Sequence, residues 1–319
     1  MIAHTTIFTC SSTNPHRNLA LEAILTETLP ANEAALMLWQ NANTVVIGSG
    51  QNAWRECAVT QMEKDGVTLA RRPSGGGAVF HDLGNLNFSF LMPREDYDVS
   101  RQLGVILRAL AEFGIEAEPS GRNDLTVNGR KFSGNAFRFV QERALHHGTL
   151  LLNADMQRGS RYLIPDPAKL KSKGVASVPS RVINLSEIAP VNVPDMKNAL
   201  IRAFEAEYGA ADRVDLDNTT LPGLEERASH YSSWEWNFAA SPKGDITLEN
   251  RFEWGGIQVH FSVCSGHIAD LSVYTDSMDE CLASKIASVL DGCPCRADDV
   301  RERLLPVSTD VGHWLSESL

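Results

Sequence analysis

Residues 121–134 read GRNDLTVNGRKFSG, and this stretch predicts a β-hairpin. Two runs of strand-forming residues flank Asn128-Gly129, a dipeptide that favours a two-residue hairpin turn because both central residues of that turn need a positive φ. Counting outward from the turn, we expect Leu125 on the first strand to pair with Phe132 on the second. The turn thus decides which side chains of the two strands face each other.

Two charged residues are expected at one end of this hairpin. The same register pairs Thr126 with Lys131 and leaves Asp124 at the same end of the ribbon. A lysine ammonium can bridge carboxylate and phosphate oxygens, and an aspartate can hold Mg²⁺ together with nucleotide phosphates. An exposed hairpin lysine and an aspartate that merely caps the turn are the plainer alternatives, and the pattern leaves them open.

Helix and strand signals surround the hairpin. Asn14 and Pro15 predict a helix that ends before Pro30, and a second amphipathic helix is expected from Ser100, as its N-cap, to Gly114. Further helices are expected at 194–208 and 279–290, and strands at 35–39, 44–47, 67–70, 86–91, 144–153, 257–263 and 268–274. Strands separated by helices, with hairpins between them, indicate an α+β fold.

The chain is expected to divide near the turn-rich segment 241–244, SPKG. With 319 residues it is longer than a single hydrophobic core commonly supports. We therefore predict a large domain at residues 1–245 and a smaller α/β domain at residues 246–319. The aromatic segment 232–238, SSWEWNF, is interpreted as packing between these two lobes.

The stretch Arg71–Asp82, RRPSGGGAVFHD, combines two arginines with three successive glycines. Glycines permit close backbone approach and let N–H groups face an anionic oxygen, while a guanidinium binds phosphate or carboxylate in a bidentate manner. The combination favours an anion-binding site over a tight turn with surface arginines. It matches neither G-x-G-x-x-G nor the Walker pattern, so neither of those phosphate sites is indicated.

Two histidine positions are candidates for pocket residues. His81 lies beside Asp82, and His146-His147 form a pair. Neither position has the H-E-x-x-H spacing of a metal-binding helix. We interpret these histidines as partly buried side chains that line a pocket.

Composition excludes several classes of protein. Forty acidic against 29 basic residues give a net charge of −11, which opposes a nucleic-acid role because duplex binding depends on cations. No apolar run approaches the roughly 20 residues of a membrane-spanning helix, and the N-terminus lacks the pattern of a signal peptide. Six cysteines in a chain of this length are too sparse for a disulfide framework. We expect a cytoplasmic protein with reduced thiols.

Four stretches together resemble the lipoate–protein ligase A family of the bacterial two-domain type. They are RRPSGGGAVFHD, GRNDLTVNGRKFSGNAF, HHGTLLLNADM and SSWEWNF. The resemblance implies a large mixed-sheet catalytic domain of the biotin/lipoate ligase type with a smaller α/β C-terminal domain. It implies lipoate salvage, in which ATP and Mg²⁺ convert lipoate, or octanoate, to an acyl-AMP with release of pyrophosphate. The acyl group would then pass to a lysine of a lipoyl-acceptor domain, in E2 subunits of 2-oxoacid dehydrogenases or in the H protein of glycine cleavage.

The resemblance also implies roles for individual residues. Lys131 would be the catalytic residue that binds both the lipoyl carboxylate and the α-phosphate, and Asp124 would hold Mg²⁺. The nucleotide contacts implied are Arg72, Gly77, Ala78, Val79, Phe80, Asp124, Lys131, Lys173 and Val182. The lipoate contacts implied are Trp39, Arg71, Ser74, Gly75, Gly76, His81, Lys131 and His147.

Three alternatives stay open at this point. An octanoyltransferase of the same clan would use a cysteine thioester, yet Cys10 and Cys57 lie in segments that match no catalytic position. A biotin ligase would carry a glycine- and arginine-rich signature that is absent here. A non-catalytic acyl-binding protein would have no need to retain Lys131 and the glycine stretch.

Overall fold

The computed structural model of the protein describes residues 2–121, 123–164, 182–241, 244–275, 277, 279 and 281–319. Within these residues a mixed eight-stranded sheet forms the centre of the large domain. Its strands are, in spatial order, β11 (Asp212–Asp215), β1 (His4–Thr9), β2 (Glu33–Trp39), β6 (Asn85–Pro93), β10 (Arg143–Leu151), β9 (Arg130–Val140), β8 (Asp124–Val127) and β7 (Glu118–Ser120). Strand β1 pairs in parallel with β11 and β2, and every pairing from β2 to β7 is antiparallel. The expected α+β class with a mixed sheet is confirmed.

Helices cover both faces of this sheet. On one face α4 (Val99–Ala111) and α6 (Val193–Tyr208) pack on a core that includes Phe88, Phe90 and Phe132. On the other face α1 (Pro15–Thr28) packs on Met37, Leu91 and Leu145, and α7 (Leu224–Ser232) covers α1. Alternate residues of one strand therefore serve two separate cores, as the two-residue period of a strand requires.

The first two predicted helices differ in how well their starts were placed. The Asn14 side chain accepts hydrogen bonds from the backbone N–H groups of His16 and Arg17, so the expected N-cap of α1 is confirmed. The expected N-cap of α4 at Ser100 is wrong. Asp98 caps that helix instead, because its carboxylate accepts from the N–H groups of Ser100 and Arg101.

The hairpin forms as expected near its turn and departs from the expectation two pairs further out. Asn128 and Gly129 have φ of +51° and +71°, and Thr126 pairs with Lys131. Leu125 pairs with Ser133, so the predicted pair with Phe132 is wrong. A β-bulge inserts one extra residue in β9, which lets the Phe132 ring enter the core with no exposed surface.

A second, three-stranded sheet lies beside the first. Its order is β4 (Thr68–Arg71), β3 (Thr44–Ile47) and β5 (Val79–His81). Short helices α2 (Ala53–Glu56), α3 (Val59–Lys64) and α5 (Met156–Gly159) accompany these strands. This sheet delivers the glycine stretch, since residues 72–78 connect β4 to β5.

The small C-terminal domain contains an antiparallel sheet and helices. Its elements are β12 (Gly244–Phe252), β13 (Gly255–Cys264), β14 (His267–Thr275), α8 (Leu282–Leu290), α9 (Ala297–Leu304) and α10 (Thr309–Ser318). Three of them, β12, α9 and α10, were not expected from the sequence, because charged residues interrupt their apolar periodicity. None of the helices in the described residues is long and apolar enough to cross a membrane.

Aromatic residues join the two domains. The rings of Trp54 and Phe238 lie 5.5 Å apart, and the Arg296 guanidinium lies 4.2 Å from the centre of the Trp234 ring. Trp234 and Phe238 also pack against the hydrophobic core that unites the second sheet with the C-terminal domain. The expectation that the segment 232–238 packs between the two lobes is confirmed.

Candidate functional site

A cavity of about 860 Å³ opens on the face of the large sheet that also carries α1. This volume lies within the range of small-molecule sites. Apolar side chains, including Leu19, Val46, Leu151 and Leu163, form much of its wall. A few polar groups are placed among them, so the cavity suits a molecule that is largely apolar with a charged end.

One straight row of residues crosses the sheet beneath the cavity. Trp39 on β2 pairs with Asn87 on β6, Asn87 pairs with Thr149 on β10, and Thr149 pairs with Gly134 on β9. The row ends at Asp124 on β8. Residues directly opposite each other in a sheet point to the same side, so this row gives the cavity an order from Trp39 to Asp124.

The hairpin pair, Asp124 and Lys131, stands at one end of that row. Lys131 Nζ lies 2.7 Å from Asp124 Oδ1, and the two side chains are 38% and 35% exposed. The ammonium lies above Gly134, where an added Cβ atom would come within 3.0 Å of Nζ. Val182 also lines the cavity and forms a parallel bridge with Lys131, so the chain returns to this point after residue 181. The expected proximity of Lys131 and Asp124 is confirmed.

The donor set at Asp124 does not fit a resident metal ion. Its carboxylate already forms an ion pair with the Lys131 ammonium, so its negative charge is not free to bind a metal cation. Among the described residues no group of three or more His, Cys, Asp or Glu could hold a metal ion. No step of the reaction would therefore depend on Mg²⁺ held by this side chain.

The Arg72 side chain hydrogen-bonds to the backbone of the glycine stretch that follows it. Its Nη2 donates to the carbonyl oxygens of Gly75 and Gly77, each at 2.8 Å, and its Nη1 donates to Val46 O at 3.3 Å. Burial lowers the pKa of Arg72 to about 10, and the Glu22 carboxylate opposes that change. Arg72 thus stays a cation at neutral pH, and it lines the cavity together with residues 76–81.

Close approach explains one glycine of the three. Gly76 has a φ of +98°, and an added Cβ atom there would lie 2.7 Å from Arg72 Nη2. Gly48, which the sequence did not single out, packs so closely that its added Cβ atom would lie 2.4 Å from Gly76 O. Two glycines from separate segments therefore shape this wall of the cavity.

Arg71, for which the resemblance implied a contact with lipoate, has a different position from its neighbour. Its side chain is 1% exposed and does not line the cavity. Its donors go to the carbonyl oxygens of residues 48, 49, 51, 236 and 237 and to Ser241 Oγ. Trp236 returns a hydrogen bond from Nε1 to Arg71 O at 2.8 Å. Strand β4 directs Arg71 into the contact with residues 236–241, so this arginine anchors the start of the glycine stretch.

A sealed network of hydrogen bonds, formed by Glu22, Trp39, Ser74, Ser89 and His147, lies behind the wall. Glu22 has no exposed surface; it accepts from Ser89 Oγ, and its two carboxylate oxygens lie 2.8 and 2.9 Å from His147 Nδ1. His147 Nε2 lies 2.6 Å from Ser74 Oγ, and Trp39 Nε1 donates to Ser89 Oγ at 2.9 Å. The network joins α1 to the glycine stretch and holds two cavity residues, Trp39 and His147, in fixed orientations.

The three histidines separate into two groups. His81 and His147 line the cavity, as expected. His146 does not, because its side chain points to the opposite face of β10, where its two ring nitrogens lie 2.7 Å from Gln102 Oε1 and 2.8 Å from Asn135 Oδ1. Burial lowers the pKa values of both His81 and His146 to about 3.

The cavity brings together most of the residues that the resemblance implied. Those that line it are Trp39, Arg72, Gly76, Gly77, Ala78, Val79, Phe80, His81, Lys131, His147 and Val182. Ser74 and Asp124 do not line the cavity but hydrogen-bond to His147 and Lys131, which do, whereas Arg71 and Gly75 do not line it. Lys173 lies outside the described residues.

Sequence reasoning missed several polar groups of the site. Glu22 lies in the first predicted helix, and Asn87 and Thr149 lie in the predicted strands 86–91 and 144–153, with no motif that marks them as site residues. The available signal was a polar residue inside an otherwise apolar run, such as Asn87 within Leu86–Phe90. Its meaning depends on cross-strand partners that the sequence alone does not reveal.

Comparison with known families identifies the chain. The family model for the lipoyl protein ligase A/B catalytic domain matches residues 14–205, and the model for the bacterial lipoate protein ligase C-terminus matches residues 241–317. The cavity is mainly apolar and has the Lys131 cation at its polar end. The chain belongs to the lipoyl protein ligase A/B family and is an enzyme of the lipoate–protein ligase class.

Solved structures agree with this assignment. P. falciparum LipL1, in complex with lipoate, is 31% identical over 98% of this chain and 97% of its own, with a TM-score of 0.65. A bi-partite lipoate protein ligase from Thermoplasma acidophilum, studied with its E2 lipoyl domain, is 27% identical over 77% of this chain and 100% of its own, with a TM-score of 0.65. A lipoate–protein ligase A bound with ATP is 26% identical over 74% of this chain and 98% of its own, with a TM-score of 0.61.

Proposed function

We propose that this protein uses ATP to convert lipoate to lipoyl-AMP, releases pyrophosphate, and then transfers the lipoyl group to a lysine of an acceptor domain. The observation that carries the proposal is the Lys131 ammonium at the polar end of a mainly apolar cavity. A fatty acid fits such a site with its chain against the apolar wall and its carboxylate against the cation. Similar ligases with lipoate or ATP bound support the choice of both substrates.

The first half-reaction follows from the charges around the cavity. A carboxylate oxygen of lipoate attacks the α-phosphorus of ATP, and pyrophosphate leaves. Negative charge grows on the α-phosphoryl oxygens, and Lys131 and Arg72, two cations that line the same cavity, would stabilise it. No nucleophile from the enzyme is needed. Lys131 would either leave its ion pair with Asp124 to bind the substrate oxygens or contact both at once.

The second half-reaction requires a neutral acceptor amine. A lysine of the acceptor attacks the acyl carbonyl of lipoyl-AMP, and AMP leaves. A free lysine has a pKa near 10.4, and loss of water on docking favours its neutral form. The acceptors that we propose are the lipoyl domains of E2 subunits and the H protein, and octanoate is proposed as a second acyl substrate.

The remaining site assignments are part of the same proposal. Residues 77–80 would contact the nucleotide through their backbone, and Lys173 would belong to the segment that binds the adenylate. Trp39, His81 and His147 would line the acyl group, with Ser74 and Gly76 shaping the loop above it. We also propose the division into a catalytic domain at residues 1–245 and an accessory domain at residues 246–319.

The test is the release of pyrophosphate by Lys131→Ala in the presence of ATP and lipoate. Loss of the only lysine among the described cavity residues is expected to lower the rate by about 10³-fold. Lys285→Ala is the matched control, because Lys285 also pairs with an aspartate, Asp279 at 3.0 Å, but lies in the C-terminal domain away from the cavity. Near-normal release by Lys131→Ala would refute the assignment.

The cysteine-dependent transferase is disfavoured by the site. None of the six cysteines, all of which lie in the described part of the chain and are free thiols, lines the cavity. Burial raises the pKa of Cys10 to about 11 and that of Cys57 to about 12, so neither is a ready thiolate. Modification of an acceptor domain without ATP would favour this alternative.

A further inference from the structure

We propose that Asn87 donates a hydrogen bond to a dithiolane sulfur of lipoate, and thereby lets the cavity distinguish lipoate from a saturated fatty acid. This inference rests on the proposed function and specifies its substrate. Asn87 is 1% exposed and lines the cavity, and its Nδ2 has no hydrogen-bond partner among the residues that the structure describes. A buried amide without a partner is costly, and because this one also lines the cavity, it points to a ligand atom that completes it.

A chain of hydrogen bonds fixes how this amide is oriented. The chain begins at Asn18, whose Nδ2 donates to Gln40 O at 2.8 Å, a carbonyl that can only accept. The same Nδ2 lies 3.0 Å from Asn41 Oδ1. The Asn41 nitrogen is thereby turned toward His81 and donates to its Nδ1 at 3.2 Å.

The position of the single N–H hydrogen of His81 determines how Asn87 is oriented. Burial lowers the pKa of His81 to about 3, so its ring is neutral and carries a single N–H. Because Nδ1 accepts from Asn41, the hydrogen resides on Nε2, which donates to Thr149 Oγ1 at 3.0 Å. The Thr149 hydroxyl then donates to Asn87 Oδ1 at 2.7 Å. The side-chain oxygen of Asn87 therefore accepts this hydrogen bond, and its NH₂ group is available to donate to a ligand.

The position of Asn87 matches the ring of lipoate. In the row beneath the cavity Asn87 lies two strands from Gly134, above which the Lys131 ammonium sits, and this separation is about 10 Å. In an extended lipoate the distance from the carboxyl carbon to the first ring sulfur is about 8 Å, given C–C bonds near 1.5 Å. With the carboxylate on Lys131, the ring therefore reaches the level of Asn87, just before Trp39.

Lipoate and octanoate differ at this level of the cavity. A disulfide sulfur of the ring is a weak acceptor that can complete the Asn87 amide, whereas octanoate has only C–H groups there. A site with a buried polar group discriminates against the analogue that leaves the group unpaired. We therefore expect Asn87 to favour lipoate.

The test compares the binding of lipoate and octanoate, by calorimetry, to the wild-type chain and to Asn87→Leu and Asn87→Asp. Both variants remove the NH₂ group, and Asn87→Asp keeps the acceptor for Thr149. The ratio of the two dissociation constants is expected to shift toward octanoate by about three- to tenfold, the worth of one hydrogen bond. Thr149→Val is expected to shift the same ratio by a smaller factor, since it only orients Asn87.

Asn85→Asp is the matched control, because Asn85 is also fully buried with an unpartnered Nδ2 on the same strand but does not line the cavity. Its ratio should equal that of the wild type. Equal losses for both acids, or an unchanged ratio in both Asn87 variants, would overturn the inference, while pyrophosphate release by the wild type would still uphold the proposed function. A wild-type chain that binds neither acid would overturn both.

Discussion

The hairpin pair and the sealed network border the same cavity, yet they are built differently. Lys131 and Asp124 are each more than one third exposed and are linked at 2.7 Å, whereas Glu22 is fully buried and bonded to His147. An exposed ion pair costs little to separate, and a buried polar network costs much more. In the proposed reaction the hairpin pair would therefore change partners, while the network would preserve the shape of the cavity.

The largest expected effect concerns Arg71, which, like the sealed network, is buried and held by hydrogen bonds. Arg71→Met removes hydrogen bonds to six acceptors that are wholly or partly buried, so the free energy of unfolding should fall by about 4 kcal/mol. Denaturant titration measures this change. Arg72→Met is the control: it removes fewer hydrogen bonds and should lose less stability, but should raise KM for ATP. Equal losses of stability in the two variants would contradict the different positions assigned to the two arginines.

The sealed network gives the next largest effect. Glu22→Gln weakens the hydrogen bonds from His147 and Ser89 to a buried carboxylate and should lower the free energy of unfolding by about 2 kcal/mol. Glu225→Gln, at the exposed ion pair with Arg17, should leave the midpoint of unfolding within experimental error. A Glu22→Gln variant as stable as the wild type would show that the network is dispensable.

A third prediction concerns acid stability. His146 has its pKa lowered by burial from 6.5 to about 3, so between these values the unfolded chain binds a proton here that the folded chain does not. Stability contributed by the neutral ring is present above pH 6.5 and is lost as pH falls toward 3, by about 1.4 kcal/mol per pH unit. His146→Gln should flatten the decline of unfolding free energy between pH 6 and pH 4.5. The exposed His313→Gln should not, and a similar slope in all three proteins would contradict the buried neutral ring.

The smallest effect is expected at the hairpin pair. Asp124→Asn should change the free energy of unfolding by less than about 1 kcal/mol, because the pair is partly exposed to solvent. Since Asp124 is paired with Lys131, the dependence of pyrophosphate release on Mg²⁺ concentration should be unchanged. A strongly altered Mg²⁺ dependence would instead assign the ion to this carboxylate.

Local sequence signals predicted the parts of the site that depend on short-range geometry. Asn128-Gly129 adopts the positive φ values of its turn, and this was enough to place Lys131 beside Asp124. The same reasoning missed the β-bulge at Phe132. The bulge lets the Phe132 ring pack in the hydrophobic core on the opposite face of the sheet, and the residues near the turn give no sign of that packing. The conformation of a turn depends on its own residues, whereas the burial of a side chain depends on residues that are distant in the sequence.

Long-range partners explain what the sequence did not reveal. Glu22 and His147 are 125 residues apart and meet only when α1 packs on β10. Arg71 and Arg72 look equivalent in sequence, but Arg71 ends β4 and points toward residues 236–241, whereas Arg72 follows the strand and lines the cavity. A repeated residue type in a motif therefore does not imply a shared role.

The most direct test of the central claim is a crystal structure with a non-hydrolysable analogue of lipoyl-AMP. The account predicts that Lys131 Nζ lies about 3 Å from both an acyl oxygen and an α-phosphoryl oxygen of the analogue. It also predicts that Glu22, His147 and Ser74 keep their present hydrogen bonds. A bound analogue with Lys131 still paired only with Asp124 and turned toward solvent would contradict the account.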